Sequence, residues 1–246
     1  MIPAVYWISN RVCRWALLAP YASVKQSGRE NIPLTGPLII ASNHLNDADP
    51  CIYGFFFPRL VRTLAKQELF RYPGLRHFLQ GYGAIPVRRG EADLGALRKA
   101  NEVLEQGFAV CVFPEGTASK AKARLVEGHP GVGLIALRSG IPVLPVAITG
   151  SQRLGLPQMF LRLPWPRQHV TITYGDPFVL EKPSRINAEA AKQATQQIME
   201  RIAALLPPEY RGYYGSAPVN GAETSAPGTE SSAPGDATAA PSGAGE

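Results

Sequence analysis

Short apolar runs that stop abruptly at polar clusters constrain this chain more than any other feature. Pro37 to Ser42 (PLIIAS) ends at Asn43-His44, and Phe108 to Phe113 (FAVCVF) feeds directly into Pro114-Glu115-Gly116. Runs of this length bounded by turn residues read as buried strands whose ends deliver polar groups to a pocket. Val61 to Ala65, Ala84 to Val87, Ile141 to Thr149 and His169 to Tyr174 read as further strands. Between them, Ala92 to Gln106 places Leu94, Leu97, Val103 and Leu104 at helical spacing and is stopped by Gly107. Gly131 to Ser139 and Ala188 to Leu206 read as two more helices. Strands alternating with helices predict an α/β fold, a mixed central sheet flanked by helices, with sites at strand ends.

A chain of 246 residues with 45% apolar content can bury one core of respectable size. The expected organisation is an N-terminal helical docking segment (1–29), one domain (30–215) and a tail (216–246). The tail is built from Ala, Pro, Gly, Ser, Thr and a few acids, too little apolar area to offset chain entropy, so it is expected to be disordered. It holds four acids and no Lys or Arg, so the rest carries +10 against +6 for the whole chain. Such a body suits anionic partners. Nucleic acid is disfavoured among them, because zinc-finger spacing, a helix-turn-helix and an RNA-recognition strand signature are all missing.

Cys13, Cys51 and Cys111 stand far apart in apolar settings and read as reduced, buried thiols in an intracellular compartment. The stretch Ile2 to Tyr21 is aromatic and apolar, but Asn10, Arg11 and Arg14 interrupt it before it reaches bilayer-spanning length. It is expected to lie in a membrane interface with Trp7, Trp15 and Tyr21 at headgroup depth, the alternative being a first helix packed on the domain. Phe55-Phe56-Phe57-Pro58 and Met159 to Arg167 also mix large apolar groups with Pro or Arg in the manner of lipid-facing loops.

Asp49-Pro50 reads as a helix start with Asp as cap, so His44 and Asp49 flank one strand-to-helix turn. A carboxylate there can accept a hydrogen bond from one imidazole nitrogen and leave the other as a base. Asp47 is the nearer acid and competes with Asp49 for that role. Together with His44 the two acids would make a poor metal site, and none is expected. No Gly-x-Ser-x-Gly elbow nominates a protein nucleophile, so direct attack by an acceptor hydroxyl is the simpler chemistry. The Glu115-Gly116-Thr117 turn offers backbone N–H groups to a phosphate or oxyanion. Arg88 and Arg89 end one strand and Lys66 another, all three candidates to hold a phosphate. His77, His129 and His169 have no partner at suggestive spacing.

In order and spacing, Asn43-His44-x4-Asp49, Gly83 to Arg89, Phe113 to Thr117 and Ile141 to Val146 resemble the four blocks of the 1-acylglycerol-3-phosphate acyltransferase family. The resemblance, over about residues 30 to 180, implies His44 as general base and Asp49, not Asp47, as its orienting partner. It implies substrate contacts from Asn43, from Arg89 in preference to Arg88, and from Glu115, Gly116 and Thr117, with Pro142, Val143 and Pro145 near the acyl donor. Two departures bear on the acceptor: Leu45-Asn46-Asp47 stands where a small hydroxyl residue is common, and Ala118 where Arg is common. The family implies no bound cofactor, acyl-CoA or acyl carrier protein as co-substrate, and a lysophospholipid acceptor. It also implies residence on an anionic membrane surface, peripheral or monotopic on the cytoplasmic face of the cell membrane.

Overall fold

The computed structural model describes residues 10–12, 14–88, 94–119, 123–154 and 166–215. Cys13, Trp7, Arg89, the tail from 216 and most of the Met159 to Arg167 stretch lie outside them. Seven strands form one sheet: β1 (Ala22–Ser27), β2 (Leu38–Ser42), β3 (Val61–Lys66), β4 (Ile85–Val87), β5 (Ala109–Val112), β6 (Val143–Thr149) and β7 (Gln168–Tyr174), in the order β1-β7-β6-β2-β5-β3-β4. All neighbours are parallel except β6 and β7. The expected mixed sheet is therefore present, with β1 and β7 running against the other five.

The central strands are fully buried, LIIAS in β2 and AVCV in β5, because helices cover both faces of a parallel sheet. Their side chains alternate between two cores. Leu38 and Ile40 join Ile52, Tyr53 and Phe56 of α1 (Asp49–Phe56), Phe57 just after it, and the N-terminal Leu18 and Tyr21 on one face. Ile39 and Ala41 join α3 (Leu94–Glu105), α4 (Gly131–Ser139) and α5 (Ala188–Leu205) on the other. The β3-to-β4 crossover helix, α2 (Pro73–Gly81), continues outward in the direction of β2-to-β3, so the right-handed rule puts it on the α1 face. Just beyond α2, the Tyr82 hydroxyl donates to the Asn10 side chain (2.6 Å), whose own amide donates to Gly54 O of α1 (2.7 Å).

Two elements escape sequence reading. β1 (ASVKQS) is a polar-rich edge strand with no apolar run, recognisable only by its pairing with β7. It also moves the boundary of the N-terminal segment to before residue 22, since residues 22–27 belong to the sheet. The second, α2, is short and surface-lying between Pro73 and Gly81. Two lipid-facing expectations are corrected as well. Tyr21 is buried in the α1-side core, and so are Phe56 and Phe57, which leaves Trp15 (64%) as the exposed aromatic among the described N-terminal residues. Of the two described cysteines Cys111 is buried and Cys51 half-buried. No helix of the described residues is long and apolar enough to cross a membrane.

Candidate active site

β2 carries the chain to the sheet's edge, and the loop after it folds around one buried carboxylate. Asp49 Oδ2 accepts hydrogen bonds from His44 Nδ1 (3.0 Å), Leu45 N (2.7 Å) and Asn46 N (2.8 Å). The helix N-cap is Ala48, without a side-chain bond. Asp49 is thus no helix cap: its side chain turns back and closes the loop, which is how residues five apart are brought together. The exposed Asp47 is not the partner. An acceptor-only carboxylate oxygen requires the proton on Nδ1 and leaves the Nε2 lone pair as the base. Among the described residues nothing hydrogen-bonds Nε2. The imidazole, nearly buried, stacks on Phe113 with centroids 4.2 Å apart at 26°.

Asn43 and Glu115 were expected to touch substrate, and the structure gives both another task. The Asn43 amide donates to Ile148 O (2.9 Å) and accepts from Ile148 N–H (2.8 Å), so it prolongs the β2–β6 ladder beyond its last backbone pair and aims the next residue, His44. Glu115 accepts from His44 N–H through Oε1 (2.8 Å) and from Val126 N–H through Oε2 (3.3 Å). Ser119 clamps the next peptide group, on the other side of the His44 Cα, donating to His44 O through its N–H (2.8 Å) and hydroxyl (3.2 Å). Asn46, buried in the loop, accepts from Ala48 N–H and donates to Leu154 O. Phe113, Ser119 and Asn46 as supports of the histidine escape sequence reading: their partners are far along the chain or depend on ring orientation.

Gly116 is required where it stands. It sits at φ 69°, and a Cβ there would approach the His129 ring to 2.8 Å. Its N–H is spent on Phe113 O (3.0 Å), so the turn does not offer that group to an oxyanion; Thr117 is exposed on the rim. Lys66 ends β3 and Arg88 follows β4, about 10 and 14 Å sideways from β2 at normal strand spacing. Arg88 Nε donates to Gln67 Oε1 (3.0 Å) and lines a cleft of about 410 Å³ with Gln67, Pro86 and Lys99. The proposed donor-binding residues are not at this edge. Val143 pairs with Ile39, five residues before His44, which is about 16 Å down the strand. Val143 and Pro145 are buried in the sheet centre and Pro142 O accepts from Ile39 N–H, so this block builds the sheet. Among the described residues no group of three His, Cys, Asp or Glu is placed to hold a metal ion.

Burial raises the Glu115 carboxyl from 4.5 to about 7, against the opposing pull of its two backbone donors. A raised acid binds its proton more readily folded than unfolded. Its contribution is therefore complete below pH 4.5 and declines as pH rises towards 7, by up to about 3 kcal/mol at 1.36 kcal/mol per pKa unit. The stability advantage of the wild type over Glu115→Gln is expected to shrink between pH 5 and pH 8. Urea midpoints of the two proteins at both pH values check it, and a constant difference would refute it.

A nearly buried histidine oriented by a carboxylate stands at the carboxyl end of a parallel strand, and among the described residues no nucleophilic side chain hydrogen-bonds its Nε2, an arrangement suited to a general base. The family described as Acyltransferase matches residues 23–149, and the chain belongs to that family. A 1-acyl-sn-glycerol-3-phosphate acyltransferase of Chlamydomonas reinhardtii is 30% identical over 82% of this chain and 59% of its own length. Another, chloroplastic BAT2 of Brassica napus, is 29% identical over 57% of this chain and 42% of its own. The chain spans about half the length of the curated relatives it matches. The crystal structure of the 1-acyl-sn-glycerophosphate (LPA) acyltransferase PlsC from Thermotoga maritima superposes with TM-score 0.59 at 26% identity, covering 79% of this chain and 75% of that one.

Proposed function

We propose that this acyltransferase moves a fatty acyl group from acyl-CoA or acyl carrier protein to the free hydroxyl of 1-acylglycerol-3-phosphate, yielding phosphatidic acid at a membrane surface on its cytoplasmic side. The observation that carries the reading is the His44–Asp49 pair, with Nδ1 bound at 3.0 Å and Nε2 left for substrate. His44 Nε2 takes the hydroxyl proton as the oxygen attacks the thioester carbonyl. The tetrahedral adduct then collapses, the C–S bond breaks, and the imidazolium returns the proton to the departing thiolate. Asp49 steadies the transient imidazolium, and Phe113 with the Glu115–Ser119 clamp keeps the ring in place. The cations Lys66, at the end of β3, and Arg88, just after β4, together with Arg89, next in sequence, suit an acceptor's phosphate. The curated relatives' names support this acceptor.

The test gives the purified full chain one labelled acyl-CoA with lysophosphatidate, glycerol-3-phosphate or a lysolipid lacking a phosphomonoester. Thiol release that needs acceptor and is fastest with lysophosphatidate supports the reading. Preference for another acceptor would overturn the substrate, and release without acceptor would make the protein a thioesterase.

A further inference from the structure

The two helical layers of the molecule have different surfaces. On the α1 side, the N-terminal helical residues expose Val12 (59%) and Trp15 (64%), and α2 with the residue before it exposes Leu75 (37%) and Tyr72 (64%). On the opposite side, α3, α4 and α5 present none of the exposed large apolar side chains found among the described residues; Val126, Val179 and Tyr213 are exposed there outside these helices, next to Leu125, Leu180 and Tyr214 of that core. Charge divides the same way. The described N-terminal residues before β1 and the stretch 67–82 hold Arg11, Arg14, Arg71 and Arg76 against the single acid Glu68. By contrast, α3 carries Arg98 and Lys99 against Glu102 and Glu105, α5 carries Lys192 and Arg201 against Glu189 and Glu200, and α4 adds the single base Arg138.

These exposed groups belong to one connected unit. Asn10 bridges Gly54 of α1 and the Tyr82 hydroxyl at the end of α2, while the Arg14 guanidinium lies 4.2 Å over the Phe56 ring of α1. Because β3 runs parallel to β2, its last residue and the 3-10 turn Gln67–Arg71 emerge at the edge where His44 stands. Tyr72 and the first turn of α2 therefore lie at the same edge of the sheet as the active site.

We propose that α2 is a second membrane-docking element, which together with the N-terminal helical residues seats the α1-side layer on an anionic bilayer. Tyr72 and Leu75 enter the interface, Arg71 and Arg76 meet lipid phosphates, and the Asn10–Tyr82 bond holds the two elements in one docking plane. Apolar groups flanked by Arg with almost no acid match a surface that is greasy beneath and negative above. The proposal deepens the membrane-surface reading by naming the face that carries it.

The test sediments the full chain with vesicles of phosphatidylcholine containing 30% phosphatidylglycerol, and with phosphatidylcholine alone, at low and high salt. Neutralising both Arg71 and Arg76 to Ala is expected to lower partition into the anionic vesicles by about 5-fold to 25-fold, since each base near such a surface contributes about 1 kcal/mol, a factor of about five. Tyr72→Ser with Leu75→Ser should lower binding to both vesicle types. Arg98→Ala with Lys99→Ala, on the opposite layer, should leave binding within about twofold. Unchanged binding of the α2 variants, or equal losses from both layers, would overturn the proposal. So would α2-dependent dimers in lipid-free light scattering, which would assign the face to a second copy of this chain. Thiol release with a short-chain monomeric acceptor separates the two readings. Docking without transfer would leave this proposal standing and remove the enzymatic one; transfer without α2-dependent docking would do the reverse.

Discussion

His44→Ala is expected to lower acceptor-dependent thiol release by about 10³-fold to 10⁴-fold, the upper part of the range for loss of a positioned general base. Folding should survive, because the interactions that hold this position run through the backbone. The His44 N–H still donates to Glu115, its carbonyl still accepts from Ser119, and Asp49 Oδ2 keeps its bonds from Leu45 N–H and Asn46 N–H. The ring leaves a gap beside Phe113, a modest cavity cost at the sheet edge. Turnover measured beside a thermal unfolding curve reads both effects. A variant that keeps its fold and its activity would remove the mechanism.

Asp49→Asn is expected to cost about 10²-fold to 10⁴-fold in kcat, the scale seen when a carboxylate orienting a catalytic imidazole is replaced by an amide. The cause is specific to this loop. Three donors converge on Oδ2, whereas Oδ1 is buried without a partner among the described residues. An asparagine must keep its oxygen towards those donors, which puts its NH2 where no acceptor waits, an unsatisfied buried group costing about 1–3 kcal/mol. The neutral amide also loses most of the attraction that steadies the imidazolium and selects the Nδ1–H tautomer. Because Asp49 is wholly buried behind the histidine, the acceptor KM should move much less than kcat. A variant with normal kcat and a raised KM would place Asp49 in substrate binding instead.

Much of the fold was legible because the signals were local. The β2 and β5 runs end within a residue of their apolar limits, and α4 spans Gly131–Ser139, the range the periodicity indicates. The elements that escaped did so for different reasons: β1 lacks an apolar run and is defined by its partner β7 alone, whereas α2 has Leu75, Phe78 and Leu79 at helical spacing but confines them to one short stretch among Gly, Arg and Gln. At the site, the His44–Asp49 pairing was legible because both residues sit in one six-residue loop. The tasks of Asn43 and Glu115 were not, since their partners lie 105 and 71 residues away and a motif does not say whether a polar side chain faces ligand or backbone. The Pro142–Pro145 block shows the same limit. Its sequence marks a buried strand, while only the register with Ile39 places it far from the histidine.

From the order of its residues alone, this chain was committed to an α/β sheet with a histidine and a carboxylate poised after its first apolar strand, because hydrophobic periodicity and short-range spacing act within a few residues. Which polar side chains serve as scaffold, which cysteines and aromatics are buried, and which apolar side chains are left exposed were decided by tertiary structure. Those outcomes depend on strand order and on hydrogen bonds closed across most of the chain, and no local pattern encodes them.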